Sequence, residues 1–384
     1  MDASPRMIPQ RVNPDMVGFL DRLRRNMRAA TASNTIKDDH SVKALNPLFK
    51  EKRSEPIVNQ LRIPDLMKRI TSPVFGFAAM AGLLASSLLL AQAQGKDCLL
   101  EHPTQYRAVQ IDGLSIFYRE AGPKNAPTLL LLHGFPSSSR MFEPLFARLS
   151  DRYHLIAPDY PGFGHSDWPN TKQFNYTFDH IASVMEDFTQ AMGLSHYTLY
   201  MQDYGGPVGF RMILAHPERV QGLIVQDAVA HNTGLGANWK TRRAFWADRA
   251  ANESALRVNL MSLETAKARH AGNDANPERH DPDLWTDEFY FLNQPGQLEI
   301  QSDLFYDYRT NVEAYPKWQA WMREKQPRLL VIWGNYESSF DPSEPEAYKQ
   351  DVPSAQVHIV DGGHFALDTA ADDIAALVRD FMTK

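Results

Sequence analysis

One cysteine, Cys98, stands in 384 residues, so no disulfide can close within the chain. That scarcity leaves the compartment open, because many exported proteins do without disulfides. No H-E-x-x-H, no paired C-x-x-C and no phosphate-binding glycine loop occurs, so nothing in the sequence asks for a metal, a nucleotide or another cofactor. Internal repeats and low-complexity tracts are also missing. Charge of one sign is scarce overall, with a net of −6, but it is unevenly spread. Residues 1–69 hold 14 Lys and Arg against 8 Asp and Glu, a surplus of +6 that leaves −12 for the remainder. A mildly acidic body argues against nucleic acid as a partner. What the chain does have is apolar material: 43% hydrophobic and 11% aromatic residues suffice for a sizeable core.

Ile70 to Gly95 carries no charge at all. Met67, Lys68 and Arg69 precede it, and its apolar stretch from Val74 to Leu90 leads into Ala91-Gln92-Ala93. A basic start, an apolar middle and a small-residue exit are the three parts of a secretory signal, here residues 67–93. On this reading Met67 is the natural initiator, residues 1–66 are an upstream extension, and the body is exported to the periplasm or beyond. An uncleaved membrane anchor over 70–95 is the alternative, since the run is long enough to span a bilayer. Residues 1–66 show many charges and little periodicity, so disorder is expected there, with a short helix near Met16–Ala30.

From Thr104 onward strands and helices alternate. Tyr106–Ile111 and Leu114–Glu120 flank Asp112-Gly113, a two-residue hairpin signal. Thr128–Leu132 is a continuous apolar run ending in His133-Gly134, as a strand buried on both faces requires. His154–Asp159, Tyr197–Gln202, Val220–Gln226, Arg328–Trp333 and Gln356–Val360 repeat that form. Helical stretches over Met141–Arg152, Phe178–Met192, Pro207–His216 and Ser343–Gln350 separate them. This rhythm predicts a doubly wound, mostly parallel α/β sheet with right-handed crossovers. The core is expected over 104–227 and 322–384. Residues 228–321 break the rhythm with helical periodicity and many aromatics, which reads as an inserted helical cap over the carboxyl ends of the strands.

The chemistry concentrates at Leu199-Tyr200-Met201-Gln202-Asp203-Tyr204-Gly205-Gly206. A strand ends, the chain reverses sharply, and a helix begins: a nucleophile elbow. The exposed position holds Asp203, not serine. Met201 stands where a small residue is usual. Downstream, Val360-Asp361-Gly362-Gly363-His364 places a histidine after the last strand, where a general base belongs in the order nucleophile, acid, base.

Together these residues resemble the aspartate-nucleophile branch of the α/β-hydrolases, the epoxide hydrolases and haloalkane dehalogenases, over roughly Thr104 to Phe381. The resemblance implies an α/β-hydrolase fold and an oxyanion hole from the backbone N–H groups of Phe135, in His133-Gly134-Phe135-Pro136, and of Tyr204. His133 is expected to order that loop. Glu337, three residues past Gly334, is the expected acid, with Asp341 and Asp227 in reserve. Glutamate there and Asp203-Tyr204, in place of the usual Asp-Trp, both depart from the family pattern. The stretch Phe305-Tyr306-Asp307-Tyr308-Arg309-Thr310-Asn311 resembles one that carries an acidic tyrosine in epoxide hydrolases, which selects Tyr308. Tyr290 or Tyr306 would be its companion.

A carboxylate nucleophile suits displacement at saturated carbon through an alkyl-ester intermediate, which a histidine-activated water then hydrolyses. The expected partners are a small apolar substrate and water. Epoxide hydrolysis leads and dehalogenation is the alternative. An esterase would need serine at the elbow, and the near match Gly164-His165-Ser166-Asp167-Trp168 lacks the closing glycine. A silent binding protein on this fold would be expected to have lost one of the three catalytic positions.

Overall fold

The computed structural model describes residues 102–383; Cys98 and the proposed segments 1–66 and 67–93 lie outside the described residues. Eight strands form one sheet: β1 (Gln105–Ile111), β2 (Leu114–Ala121), β3 (Thr128–Leu132), β4 (His154–Pro158), β5 (Tyr197–Gln202), β6 (Val220–Gln226), β7 (Leu329–Gly334) and β8 (Gln356–Val360). Their order is β1-β2-β4-β3-β5-β6-β7-β8. Only β1–β2 and β2–β4 pair antiparallel; the rest are parallel. The hairpin turns where expected, with Asp112 and Gly113 both at positive φ (49° and 83°) and Ile111 opposite Leu114. Two successive positive φ values are the requirement of a type I′ turn.

The apolar runs follow from helices on both faces. In β3, Leu130 and Leu132 pack into one core cluster, while Leu129 and Leu131 pack into the other. Five helices complete the core: α1 (Glu143–Leu149), α2 (Phe178–Ala191) and α3 (Gly205–Ala215), then, beyond the cap, α9 (Glu344–Asp351) and α10 (Leu367–Thr383). Phe142, Phe146, Ile374 and Val378 lie on the Leu129 side; Ile181, Met185, Val208 and Met212 lie on the Leu130 side.

Between β6 and β7 stand five helices: α4 (Lys240–Ala247), α5 (Arg249–Leu260), α6 (Leu263–Ala271), α7 (Pro282–Leu292) and α8 (Gln297–Lys325). The last runs past the expected cap end at residue 321, because the chain first turns left-handed at Gln326 (φ 45°). Polar ties fasten this cap to the core. Asp307 accepts the Phe178 N–H at 2.8 Å, Arg211 donates to Asn311 at 2.7 Å, and His270 pairs with Asp368 at 2.6 Å. Among the described residues no helix is long and apolar enough to cross a membrane.

Candidate active site

At the end of β5 the chain turns within one residue. Asp203 adopts φ 47°, a conformation that costs a non-glycine residue energy and is found disproportionately at functional sites. The turn brings α3 against β3 so closely that a Cβ on Gly205 would stand 2.1 Å from the Leu132 carbonyl oxygen. Glycine is therefore required there. Met201 is tolerated in place of a small residue because Gly209 makes room: a Cβ at 209 would lie 2.2 Å from the Met201 sulfur.

Asp203 is nearly buried, and its Oδ1 accepts the Phe135 N–H at 2.8 Å. Burial pushes its carboxyl above the usual range, against the pull of His364 and of the Phe135 and Tyr204 N–H groups. Both expected oxyanion-hole donors thus already face the nucleophile's own carboxylate. His364 follows β8, and its Nε2 stands 3.7 Å from Asp203 Oδ2. Its Nδ1 donates to Glu337 Oε2 at 2.8 Å, which fixes the tautomer and leaves the Nε2 lone pair facing Asp203. Burial alone would depress this imidazole, but the Glu337 and Asp203 charges outweigh it and raise it. Glu337 is held in turn by the N–H groups of Ser339 and Phe340.

The two reserve acids lie elsewhere. Asp341 accepts the Ser343 N–H at 3.0 Å and its hydroxyl at 2.7 Å, at the start of α9, and makes no recorded contact with His364. Asp227 ends β6 at φ 45°, fully buried, accepting the Gly334 N–H at 2.9 Å. Burial, then the neighbouring Glu337 charge, push its carboxyl well above the carboxylate range. His133 stacks on Tyr160 at 4.1 Å and its Nε2 accepts the Tyr160 N–H; burial pulls it down to about 4, so it stays neutral as a loop brace.

The family model for the alpha/beta hydrolase fold matches residues 127–371. The chain belongs to that family. An uncharacterized hydrolase of Saccharomyces cerevisiae is 35% identical over 276 residues, 71% of this chain and 94% of its own. Haloalkane dehalogenase 2 of Mycobacterium tuberculosis is 28% identical, covering 68% of this chain and 90% of its own. Among solved structures, Cfl2 of Burkholderia cenocepacia superposes with a TM-score of 0.60 at 22% identity, over 74% of this chain and 97% of that one.

In this α/β-hydrolase the cap closes the site with aromatic rings. Tyr308 on α8 is buried, 5.9 Å from the Tyr204 ring and 4.8 Å from Trp239. Its hydroxyl meets that of Tyr315 at 3.5 Å, seven residues on along the same helix. Burial, Tyr315 and the Asp203 charge all hold the Tyr308 phenol well above its ordinary pKa. The companions expected for Tyr308 do not join it. Tyr290 is 61% exposed, and Tyr306 turns to Arg309, whose guanidinium carbon lies 3.9 Å over its ring. Tyr315 takes that place; its spacing from Tyr308 was the signal in the sequence. Arg242 and Arg269 were also missed. Both act electrostatically on Asp203 and Tyr204.

Proposed function

We propose that this hydrolase opens epoxides to diols through an ester on Asp203. An Asp203 oxygen attacks a ring carbon, the ring C–O bond breaks, and Tyr308 gives its proton to the emerging alkoxide. Water then adds to the ester carbonyl carbon while His364 Nε2 takes its proton, with Glu337 steadying the imidazolium. The oxyanion sits on Oδ1 against the Phe135 and Tyr204 N–H groups. Collapse breaks the acyl C–O bond, and the imidazolium proton goes to the departing diol. The carboxylic acid left on Asp203 gives up its proton as the Tyr308 phenolate takes one back, so the cycle closes with no net proton change.

The observation carrying this reading is the buried, protonated Tyr308 phenol beside the nucleophile. A halide would instead want N–H donors. The two cap indoles beside Tyr308 are already committed, Trp239 to the Ser339 carbonyl at 2.9 Å and Trp246 to the Phe305 carbonyl at 2.7 Å. The likeness to a haloalkane dehalogenase keeps dehalogenation as the competing reaction. The deciding experiment gives the protein styrene oxide and 1-bromobutane and follows diol and bromide, with Asp203→Asn as control. Diol without bromide is expected. Bromide alone would replace the epoxide reading, and turnover surviving in Asp203→Asn would remove Asp203 as nucleophile.

A further inference from the structure

A pocket for a neutral epoxide needs no cations, yet two guanidinium groups from separate cap helices converge on this one. Arg242, on α4, lies with its guanidinium carbon 4.4 Å over the Trp239 ring and 5.8 Å from Phe305. Trp239 is itself 4.8 Å from Tyr308, and Phe305 is 4.8 Å from Phe135. Arg269, on α6, stands 4.8 Å over Phe135, the residue whose N–H holds Asp203. The two cations are near enough to repel, and the Arg242 charge burdens Arg269.

Their surroundings do not neutralise them equally. Arg269 has the buried Glu288 nearby. The groups that act electrostatically on Arg242 are Tyr204, Asp203 and Tyr308, and its Nε is buried without a hydrogen-bond partner. Three other cap arginines are ion-paired, Arg249 with Asp303 at 2.6 Å, Arg257 with Glu253 at 3.4 Å and Arg279 with Asp274 at 2.6 Å, while Arg309 lies over the Tyr306 ring. A buried donor left unmade and a cation left unpaired are costly, and proteins keep such arrangements where a ligand completes them.

The reaction does not relieve the need. In the resting enzyme the Asp203 carboxylate supplies one negative charge to this pair. Once Asp203 becomes an ester that charge passes to the Tyr308 phenolate, so a single negative charge from these two groups faces both cations at each stage. We propose that Arg242, assisted by Arg269, is a carboxylate-binding subsite, so that the substrate is an epoxide bearing an acid group. A planar carboxylate matches a guanidinium fork and would supply a further negative charge beside the two cations. The substrate class therefore differs from the apolar molecule that the cap's aromatic content suggested.

This inference rests on the epoxide reading for its chemistry but not for its binding, and the test separates the two. The full chain is titrated calorimetrically with 3-phenylpropanoate and with the isosteric 3-phenylpropanamide, and the same is done with Arg242→Gln and Arg242→Lys. The acid is expected to bind about ten- to hundredfold more tightly than the amide, the range for a charge-assisted hydrogen bond. Arg242→Gln is expected to erase that preference and Arg242→Lys to keep part of it. In turnover, 3-phenylglycidate should be preferred over 3-phenylglycidamide by a similar factor in kcat/KM, and Arg242→Gln should lower that ratio. Equal affinity for acid and amide in the wild type, or equal losses for both in Arg242→Gln, would overturn the subsite. Acid-selective binding without diol from either epoxide would retain it and reject the epoxide reading instead.

Discussion

Glu337 offers the sharpest separation of the two chemical steps. Its Oε2 accepts the His364 Nδ1–H at 2.8 Å, and both side chains are about 2% exposed. Glu337→Gln removes the charge, keeps the shape, and can present an N–H that forces the opposite imidazole tautomer. Breaking a buried ion pair costs about 3–5 kcal/mol. If the pair matures only as His364 becomes imidazolium, that figure falls on ester hydrolysis. It amounts to about two to nearly four powers of ten in rate at roughly 1.4 kcal/mol per tenfold. Attack by Asp203 needs no proton removed by His364, so the first step should continue. The variant is therefore expected to turn over hundreds to thousands of times more slowly while Asp203 fills with substrate. Intact-protein mass after rapid mixing with excess epoxide should show one substrate added, mapped by digestion to the peptide containing Asp203. A loss below about tenfold, or a large loss with no adduct, would refute the assignment of Glu337 to the second step.

Asp227→Asn should change kcat/KM less than about threefold, because Asp227 accepts the Gly334 N–H, which the amide oxygen can still do, while His364 leans on Glu337; a hundredfold loss would mean that the Asp227 charge works in the reaction. Tyr308→Phe is expected to lower diol formation about 10²- to 10⁴-fold, the usual contribution of a positioned acid, without any ester accumulating. Full activity in that variant would remove Tyr308 from the mechanism. His270 is lowered by burial but raised more by Glu288 and Asp368, to about 10, so its folded value exceeds the ordinary 6.5. Its stabilisation is complete below about 6.5 and disappears as pH climbs through about 10. Tm should therefore fall over that window, and His270→Gln should flatten the fall; identical profiles for both proteins would contradict the coupling between cap and core.

The parts of this molecule that could be read from sequence are those set by neighbours in the chain. The hairpin at Asp112-Gly113 needs only two residues able to take positive φ. The turn at Asp203 needs a strand, Gly205 under the Leu132 carbonyl, and a helix that starts at once. Glu337 follows the buried strand β7 and His364 the edge strand β8, each at a fixed offset, so their approach depends on the sheet rather than on the cap. The cap obeyed no such rule. Tyr315 joins Tyr308 because helix α8 stays helical through Tyr315, although the residue before a proline is biased away from that conformation. Arg242 and Arg269 meet the site because α4 and α6 pack around Phe135, Phe305 and Trp239, and that packing has no local signature. Tyr290 shows the reverse error: an aromatic residue in a lid reads as pocket lining, yet its helix turns it to solvent.

The Phe135 N–H on Asp203 Oδ1 also makes the two carboxylate oxygens unequal in their fates. Oδ1 is anchored, while Oδ2 faces His364 and is the atom free to bond to substrate. On the proposed ester route, hydrolysis at the carbonyl carbon releases the product with Oδ2 attached, and an oxygen from water fills the vacancy. On that route the protein gives away one of its own atoms in every cycle and restores it from solvent. In heavy-oxygen water the isotope should enter Asp203 once, at the mobile site, and go no further however long turnover runs. The anchored oxygen would remain the one installed when the chain was made.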